Sequence, residues 1–315
     1  MPVNPVDFYH KMLRIRKFEE RLMSLKSEGE IPGSIHLCNG QEAIPVGVTE
    51  VLTTEDYVTA TYRGHGWAIS RGSTLTDMFA ETMGRESNLN SGRGGSPYLS
   101  DVENNFLGEN SIVGAGVPIA AGAALTAQYR GTRAVSVASI GDGAMNQGVV
   151  HEALNMAAVL ALPFVLVVEN NLYSEMVRIE DMVRIKQLSE RAAGYGIPGI
   201  TIDGNDPVVV QNTAQEAIDR ARAGGGPTLI EAMTQRLVGH HSGDIQHYRP
   251  RGEVAEAALD EPLLRLRNAA AAAGEPLTPF DDVDALVHAE IERAVEDARR
   301  IRFPDPNSAK EHLYA

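Results

Sequence analysis

The chain has 315 residues, enough for one large or two ordinary domains that bury a full hydrophobic core without disulfide or metal staples. Lys and Arg number 28 against 42 Asp and Glu, a net charge of −14 that repels phosphate backbones and anionic lipid, so neither nucleic acid nor a membrane surface is an expected partner. With 43% hydrophobic and 22% charged residues the composition is that of a folded protein, and the single cysteine, Cys38, can close no internal disulfide, which fits a reducing, cytoplasmic setting.

The first residues, MPVNPVDFYHKMLRIRKFEERL, hold no apolar core of signal-peptide length, so no processing is expected. Over 6–28, Phe8, Met12, Ile15, Phe18 (or Glu19), Leu22 and Leu25 recur at three- and four-residue steps, which predicts an amphipathic helix within an N-terminal arm, residues 1–30, that packs on something. Glycines and Pro32 interrupt the chain to residue 41; GQEAIPVGVTEVL then resumes a helical period, and 57–60 reads as a short strand. From 63 to 110 glycines are dense, predicting loops whose backbone can approach a ligand closely. The stretch 112–127 is about half Gly and Ala, shorter than the roughly 20 residues of a membrane span, and is expected to be a close-packing helical segment.

The middle of the chain is the most regular. AVSVASI (134–140) is an apolar, β-branched run ending in Gly141-Asp142-Gly143, residues 146–162 are helical in period, and FVLVVE (164–169) ends in Asn170-Asn171. Strand, helix and strand in this succession form a βαβ unit with neighbouring parallel strands. A helix over 207–223 and a strand over 228–232 follow, and the last 60 or so residues read as helices broken around Gly274–Pro279. The fold class is therefore α/β, a mainly parallel sheet sandwiched by helices.

In such sheets ligands bind beyond the carboxyl ends of the strands. Here two adjacent strands end in a carboxylate, Asp142, and in a pair of amides. Oxygen ligands of this kind, at about 2.1 Å, suit Mg²⁺, which takes its remaining ligands from phosphate and water. Gly141 and Gly143 leave backbone N–H groups free to reach the same phosphates, and the next helix adds its positive N-terminal end. No GxxxxGK[ST] loop and no GxSxG elbow is present, and Gly114-Ala115-Gly116 lacks the third glycine of a dinucleotide fingerprint, Ile119 standing there instead.

The run GDGAMNQGVVHEALNMAAVLALPFVLVVENNLY closely resembles the thiamine diphosphate signature of the alpha subunits of the decarboxylating component of 2-oxo acid dehydrogenase complexes, among them the pyruvate, branched-chain and acetoin enzymes. HLCNGQEA (36–43), YRGHGWAISRG (62–72), GRGGSPY (92–98), NSIVGAGVP (110–118) and GHHS (239–242) resemble further blocks of that family in the same order, from about residue 8 to residue 300. The resemblance implies a thiamine diphosphate fold over 31–240, with 241–315 forming an active-site loop and helical C-terminal region of the same domain. It implies Mg²⁺ held by Asp142, the Asn171 side chain and the main-chain carbonyl of Tyr173. It implies diphosphate contacts from the amides of Gly143 and Ala144 and from Tyr62 and Arg63, and aminopyrimidine contacts from the backbone of Ser111 and Val113, although the family commonly has Gly where Ser111 stands.

Two histidine sites follow from the same resemblance. His241, before Ser242, matches the family's loop histidine over the thiazolium, thought to act in acyl transfer to lipoamide; a histidine suits because its ordinary pKa near 6.5 lets it give and take protons at neutral pH. The loop GHHSGDIQHYR is shorter than the family's usual form, and counting from Arg236 selects His240 instead; His241 is favoured, with His240 the alternative. His36 matches a second family histidine near the substrate. Ser242 matches a kinase target, which does not by itself imply regulation here. The family further implies a beta subunit supplying the glutamate that activates the aminopyrimidine, an assembly of two alpha and two beta chains, and a lipoyl-bearing acyltransferase. The small-residue helix 119–127 and the N-terminal arm are candidate interfaces. The expected activity is cleavage of a 2-oxo acid or acetoin with acyl transfer to lipoamide; a two-subunit carboligase of transketolase type, passing a two-carbon unit to an aldehyde, and a non-catalytic scaffold subunit are the alternatives.

Overall fold

The computed structural model describes residues 4–311. Eleven α-helices occur among them: α1 (Pro5–Ser27), α2 (Ala43–Thr49), α3 (His65–Arg71), α4 (Leu75–Thr82), α5 (Gly116–Arg130), α6 (Gly148–Val159), α7 (Ile179–Met182), α8 (Pro207–Arg222), α9 (Glu253–Ala257), α10 (Pro262–Ala272) and α11 (Thr278–Arg300). The strands are β1 (Tyr57–Thr61), β2 (Phe106–Asn110), β3 (Ser136–Gly141), β4 (Phe164–Asn170), β5 (Tyr173–Ser174), β6 (Val177–Arg178), β7 (Gly199–Asp203) and β8 (Thr228–Met233). Six of them form one sheet in the order β2-β1-β3-β4-β8-β7, parallel at every pairing, while β5 and β6 form a separate antiparallel hairpin.

The central strands are buried on both faces, so their side chains alternate between two apolar cores. Val137, Val165, Val167 and Ile230 face a core shared with Phe8, Met12, Ile15, Phe18, Leu22 and Leu25 of α1 and with α8, α10 and α11. Ala138, Ile140, Leu166, Val168 and Leu229 face the opposite core, built with α5 and α6. The apolar stripe read along 6–28 is thus consumed inside the molecule. Asn4 caps α1, its side-chain oxygen accepting from the Val6 N–H at 3.1 Å, and Pro5 stands at the first helical position.

The predicted βαβ unit is present: β3 and β4 pair in parallel from Ser136↔Phe164 to Gly141↔Glu169 with α6 crossing between them. The stretch 63–110 departs from the loops predicted for it, since α3, α4 and β2 lie there. Two of its glycines end helices, Gly72 and Gly84 adopting positive φ (112° and 71°) just beyond α3 and α4, while Gly92, Gly94 and Gly95 lie in the loop that was expected. The strand order reverses direction between β1 and β3, and such a switch point opens a crevice at the strands' carboxyl ends.

Candidate active site

The crevice beyond β1, β3 and β4 is a cavity of about 230 Å³, walled by Tyr62 and Arg63 from the end of β1, Asp142, Gly143 and Ala144 from the end of β3, and Asn171 and Tyr173 after β4. These residues, all named from the sequence, therefore meet in one place, and Val113, Gly141 and His240 share the same wall.

Asp142 opens a 3₁₀ turn directly after β3. Its Oδ1 accepts from the Gly143 N–H at 2.6 Å, while its buried Oδ2 has no partner. Burial raises the carboxyl to a pKa of about 6, against the lowering effect of the Gly143 N–H and the Arg236 charge. The two asparagines at the end of β4 divide their work: Asn170, the last strand residue, donates to Glu231 at 2.7 Å, whereas Asn171 donates Nδ2–H to Gln41 Oε1 at 2.9 Å, leaving its buried Oδ1 unpartnered. Two oxygen acceptors are thereby desolvated and left open in one cavity, a costly arrangement unless a donor or cation fills it. Leu172, at φ +71°, reverses the chain between Asn171 and Tyr173, a left-handed conformation that a bulky residue adopts only where the surroundings impose it. Gly143 lies against the β5 hairpin, where a Cβ would sit 2.7 Å from Ser174 Cβ; a side chain at 143 would displace the turn.

The cationic side is equally specific. Arg63 is buried, its guanidinium donating to the carbonyls of Leu37 (2.5 Å) and His240 (2.9 Å). Arg236, also buried, donates to the Glu175 carbonyl at 3.0 Å and the Tyr248 hydroxyl at 2.8 Å. Neither forms a salt bridge with a carboxylate of the described residues, although the chain makes many such pairs elsewhere. Two desolvated guanidiniums without counter-charge at one cavity wall constitute an anion site.

Of the histidines, it is His240 that lines the cavity, its Nδ1 lying 3.4 Å from both Arg63 and Arg236. Burial, then the charges of Arg63 and Arg236, lower it to about 3, so the ring is neutral rather than poised near 6.5. His241 is off the wall, its Nδ1 accepting from the Gly243 N–H at 3.0 Å. His36 packs on Tyr62 at a centroid distance of 4.4 Å and on His240 at 5.0 Å; burial and the Arg63 charge lower it also to about 3. His36, Tyr62, His240 and His241 thus form one aromatic cluster at the cavity's rim. Ser111 is not part of the wall. Among the described residues no group of three or more His, Cys, Asp or Glu side chains could hold a metal ion.

Comparison with known proteins gives the family. A family model described as dehydrogenase E1 component matches residues 10–307. The chain belongs to the dehydrogenase E1 component family. The alpha subunit of acetoin:2,6-dichlorophenolindophenol oxidoreductase from Bacillus subtilis is 42% identical over 97% of this chain and 92% of its own length. Its counterpart from Cupriavidus necator is 41% identical over 97% and 92%. The pyruvate dehydrogenase E1 component subunit alpha of Zymomonas mobilis is 40% identical over 98% and 87%.

Sequence reasoning overlooked several residues at this cavity. Arg236 entered it only as a counting mark, and Gln41, which orients Asn171, was hidden within a helical-looking run. Gly40 (φ +95°) delivers Gln41: a Cβ there would lie 2.5 Å from the Gln235 carbonyl oxygen, so only glycine lets the two loops touch. Glu42 accepts from the Gly40 N–H at 3.0 Å and is itself held by Arg16. The loop 236–249 is latched by Asp244, which accepts from the N–H groups of His240 (2.6 Å) and Gln246 (2.8 Å) and from the Tyr248 hydroxyl (2.7 Å). Burial alone would raise the Asp244 carboxyl; these donors hold it at about 2.

Proposed function

We propose that this chain is the alpha subunit of a thiamine diphosphate-dependent dehydrogenase that cleaves acetoin or a 2-oxo acid, takes Mg²⁺ as its metal, and passes the acyl group to lipoamide. One observation carries the reading: two buried carboxylate and amide oxygens without partners, Asp142 Oδ2 and Asn171 Oδ1, share a cavity with two buried arginines without counter-charge, Arg63 and Arg236. That pairing of donor types suits a divalent cation and a polyphosphate together, and neither half is satisfied alone. Membership of the family, whose named relatives above are oxidoreductases and dehydrogenases, supports oxidation over transfer to an aldehyde acceptor.

Thiamine diphosphate, when bound, supplies a thiazolium carbon that adds to a carbonyl and accepts the electron pair released on cleavage. Asp142, Asn171 and the Tyr173 carbonyl would hold the metal. Arg63, Arg236, Tyr62 and the amides of Gly143 and Ala144 would hold the diphosphate. His240, rather than His241, is the loop histidine with access to the cavity; neutral in the free chain, it regains basicity when an anion offsets the two guanidiniums beside it. His36 orders Tyr62 at the rim. The relatives named above are alpha subunits, which supports a second chain at this cavity, a beta subunit bearing the glutamate for the aminopyrimidine, in an assembly of two alpha and two beta chains. No helix among the described residues is long and apolar enough to cross a membrane, and the lone, buried Cys38 supports a cytoplasmic setting.

The test uses purified alpha and beta chains together. Asp142→Ala abolishes Mg²⁺-dependent binding of thiamine diphosphate, read by calorimetry, and lowers turnover of acetoin or pyruvate by at least about 100-fold, an expectation for losing a metal ligand. Unchanged turnover favours a scaffold subunit. Acyloin formation without acyl transfer to a lipoylated acceptor favours the carboligase.

A further inference from the structure

Every charged group on the cavity wall has a use in the preceding reading except one. Asp142 is aimed at the metal, Arg63 and Arg236 at the diphosphate, and Glu169 is engaged beneath the floor, its Oε1 accepting from Trp67 Nε1 at 2.7 Å and from Ser139 Oγ at 2.5 Å. Glu175 also lines the cavity, is exposed, and its carboxylate makes no hydrogen bond or ion pair with any described residue. Its main chain, by contrast, is fixed: the Glu175 carbonyl accepts from Arg236 at 3.0 Å, and Arg236 in turn lies 3.4 Å from His240 Nδ1. Glu175 is therefore anchored at the histidine end of the cavity by its backbone, with its side chain left free.

The backbone adds a second observation. Tyr173↔Arg178 and Ser174↔Val177 pair across the β5–β6 hairpin, so Glu175 and Met176 form its two-residue turn. Glu175 has φ +56°, and the first position of such a turn with positive φ is one where glycine is favoured. A glutamate in this conformation is strained, and strained residues concentrate where a side chain has to be presented to a site.

We infer that the Glu175 carboxylate selects the substrate by charge, disfavouring substrates that bring a carboxylate to the histidine end of the cavity and leaving uncharged α-hydroxyketones and 1,2-diketones unopposed. The inference rests on the dehydrogenase reading above and narrows its substrate class from 2-oxo acid or acetoin to the uncharged kind. Two negative charges about 7 Å apart, at an effective dielectric constant of roughly 20–40, differ from a neutral pair by about 10- to 50-fold in an equilibrium or rate ratio. Both guanidiniums nearby are occupied by carbonyls and by the expected diphosphate, so neither is available to neutralise a substrate carboxylate as well.

The experiment uses the reconstituted alpha–beta complex with Mg²⁺ and thiamine diphosphate. Wild type, Glu175→Gln and Glu175→Gly are compared for kcat/KM with acetoin and with pyruvate, using a dye acceptor. Calorimetry supplies a readout apart from turnover: the affinity for an acylphosphonate monoester, an anionic mimic of a 2-oxo acid, and for the cofactor itself. Both variants are expected to raise the pyruvate-to-acetoin ratio by about 10- to 50-fold and to tighten the anionic mimic by a similar factor, with cofactor affinity within about threefold of wild type. The glycine variant also relieves the left-handed turn, so it remains informative where the glutamine variant folds poorly. An unchanged ratio in an active complex overturns the inference alone, as does a parallel shift of both substrates together with cofactor affinity. A wild-type complex that turns over neither substrate overturns the dehydrogenase reading and this inference with it.

Discussion

Asp142 is under two opposed demands. In the metal-binding role proposed above it has to be ionised, yet burial raises its carboxyl to about 6 from the ordinary 3.9 or so of an unfolded chain. In the metal-free protein the folded state then binds the proton more tightly than the unfolded state between those two values, so stability is greatest at the acid end of that window and falls as pH rises through it. At pH 7 the ionised, uncompensated carboxylate works against folding. Asp142→Asn is expected to stabilise the metal-free chain by about 1–3 kcal/mol at pH 7 in urea unfolding, while removing Mg²⁺-dependent cofactor binding. A metal-free variant no more stable than wild type at pH 7 counts against a carboxylate held open for a cation. For the wild type the same shift makes the half-saturating Mg²⁺ concentration climb as pH drops below about 6.

The next scale is that of the turn and the loop. Short connections at the carboxyl ends of β3 and β4 hold their functional groups rigidly because strands fixed in register deliver them. The segment 236–249 is different: it has no strand or helix, and Asp244 alone collects three donors within it. Hydrogen bonds to a charged group contribute about 1.5–3 kcal/mol each in favourable settings, and partial exposure of Asp244 lowers that figure. Asp244→Ala is expected to speed amide hydrogen exchange at 238–246 by about tenfold or more, and to weaken whatever His240 contributes, without shifting exchange in β3 or β4. Equal acceleration in the sheet indicates a global role for Asp244 instead. The element scale is also where prediction from the chain was least secure. The β-branched run 134–140, the helical period after it and the run 164–169 announce a βαβ unit because parallel, doubly covered strands are apolar throughout. β2, with the sequence FLGEN, and β7, with GITID, carry no such run; they lie toward the sheet's edges, and their pairing depends on β1 and β8 rather than on their own composition.

At the scale of the whole molecule, the outer sides of α5 and α6 carry exposed apolar residues. Ile119, Leu125 and Tyr129 of α5, Met156 and Val159 of α6 and Leu160 just after it are exposed, and Gln128 Nε2 donates to the Leu160 carbonyl at 3.0 Å, tying the C-terminal ends of the two helices together. Tyr129 is 91% exposed and Val159 75%. Val159→Glu is expected to leave the alpha chain's thermal midpoint within a few degrees of wild type but to prevent co-elution with the beta chain in size-exclusion chromatography with light scattering. An intact complex assigns that face another role. The N-terminal helix, the other candidate interface, has its apolar stripe in the core. The net charge of −14 is compatible with holding a polyphosphate because the field at a site is set locally, here by Arg63 and Arg236, and not by the distant surface carboxylates.

The parallel sheet, and the placing of Asp142, Gly143 and Asn171 at its strand ends, were legible along the chain because turn chemistry, strand composition and helical period are local codes written within a few residues, whereas Tyr62 and Arg63 were named only through the family resemblance. Arg236, Gln41 and Glu175 were not, nor was the choice of His240 over His241 at the cavity wall. Gln41 reaches Asn171 across 130 residues of chain and Arg63 reaches His240 across 177, contacts that exist only once the sheet order and the crossing of its helices have been set. Which of two adjacent histidines turns inward depends on where the loop's ends are anchored and on Asp244's grip on the His240 N–H, and no spacing rule within GHHS contains that information.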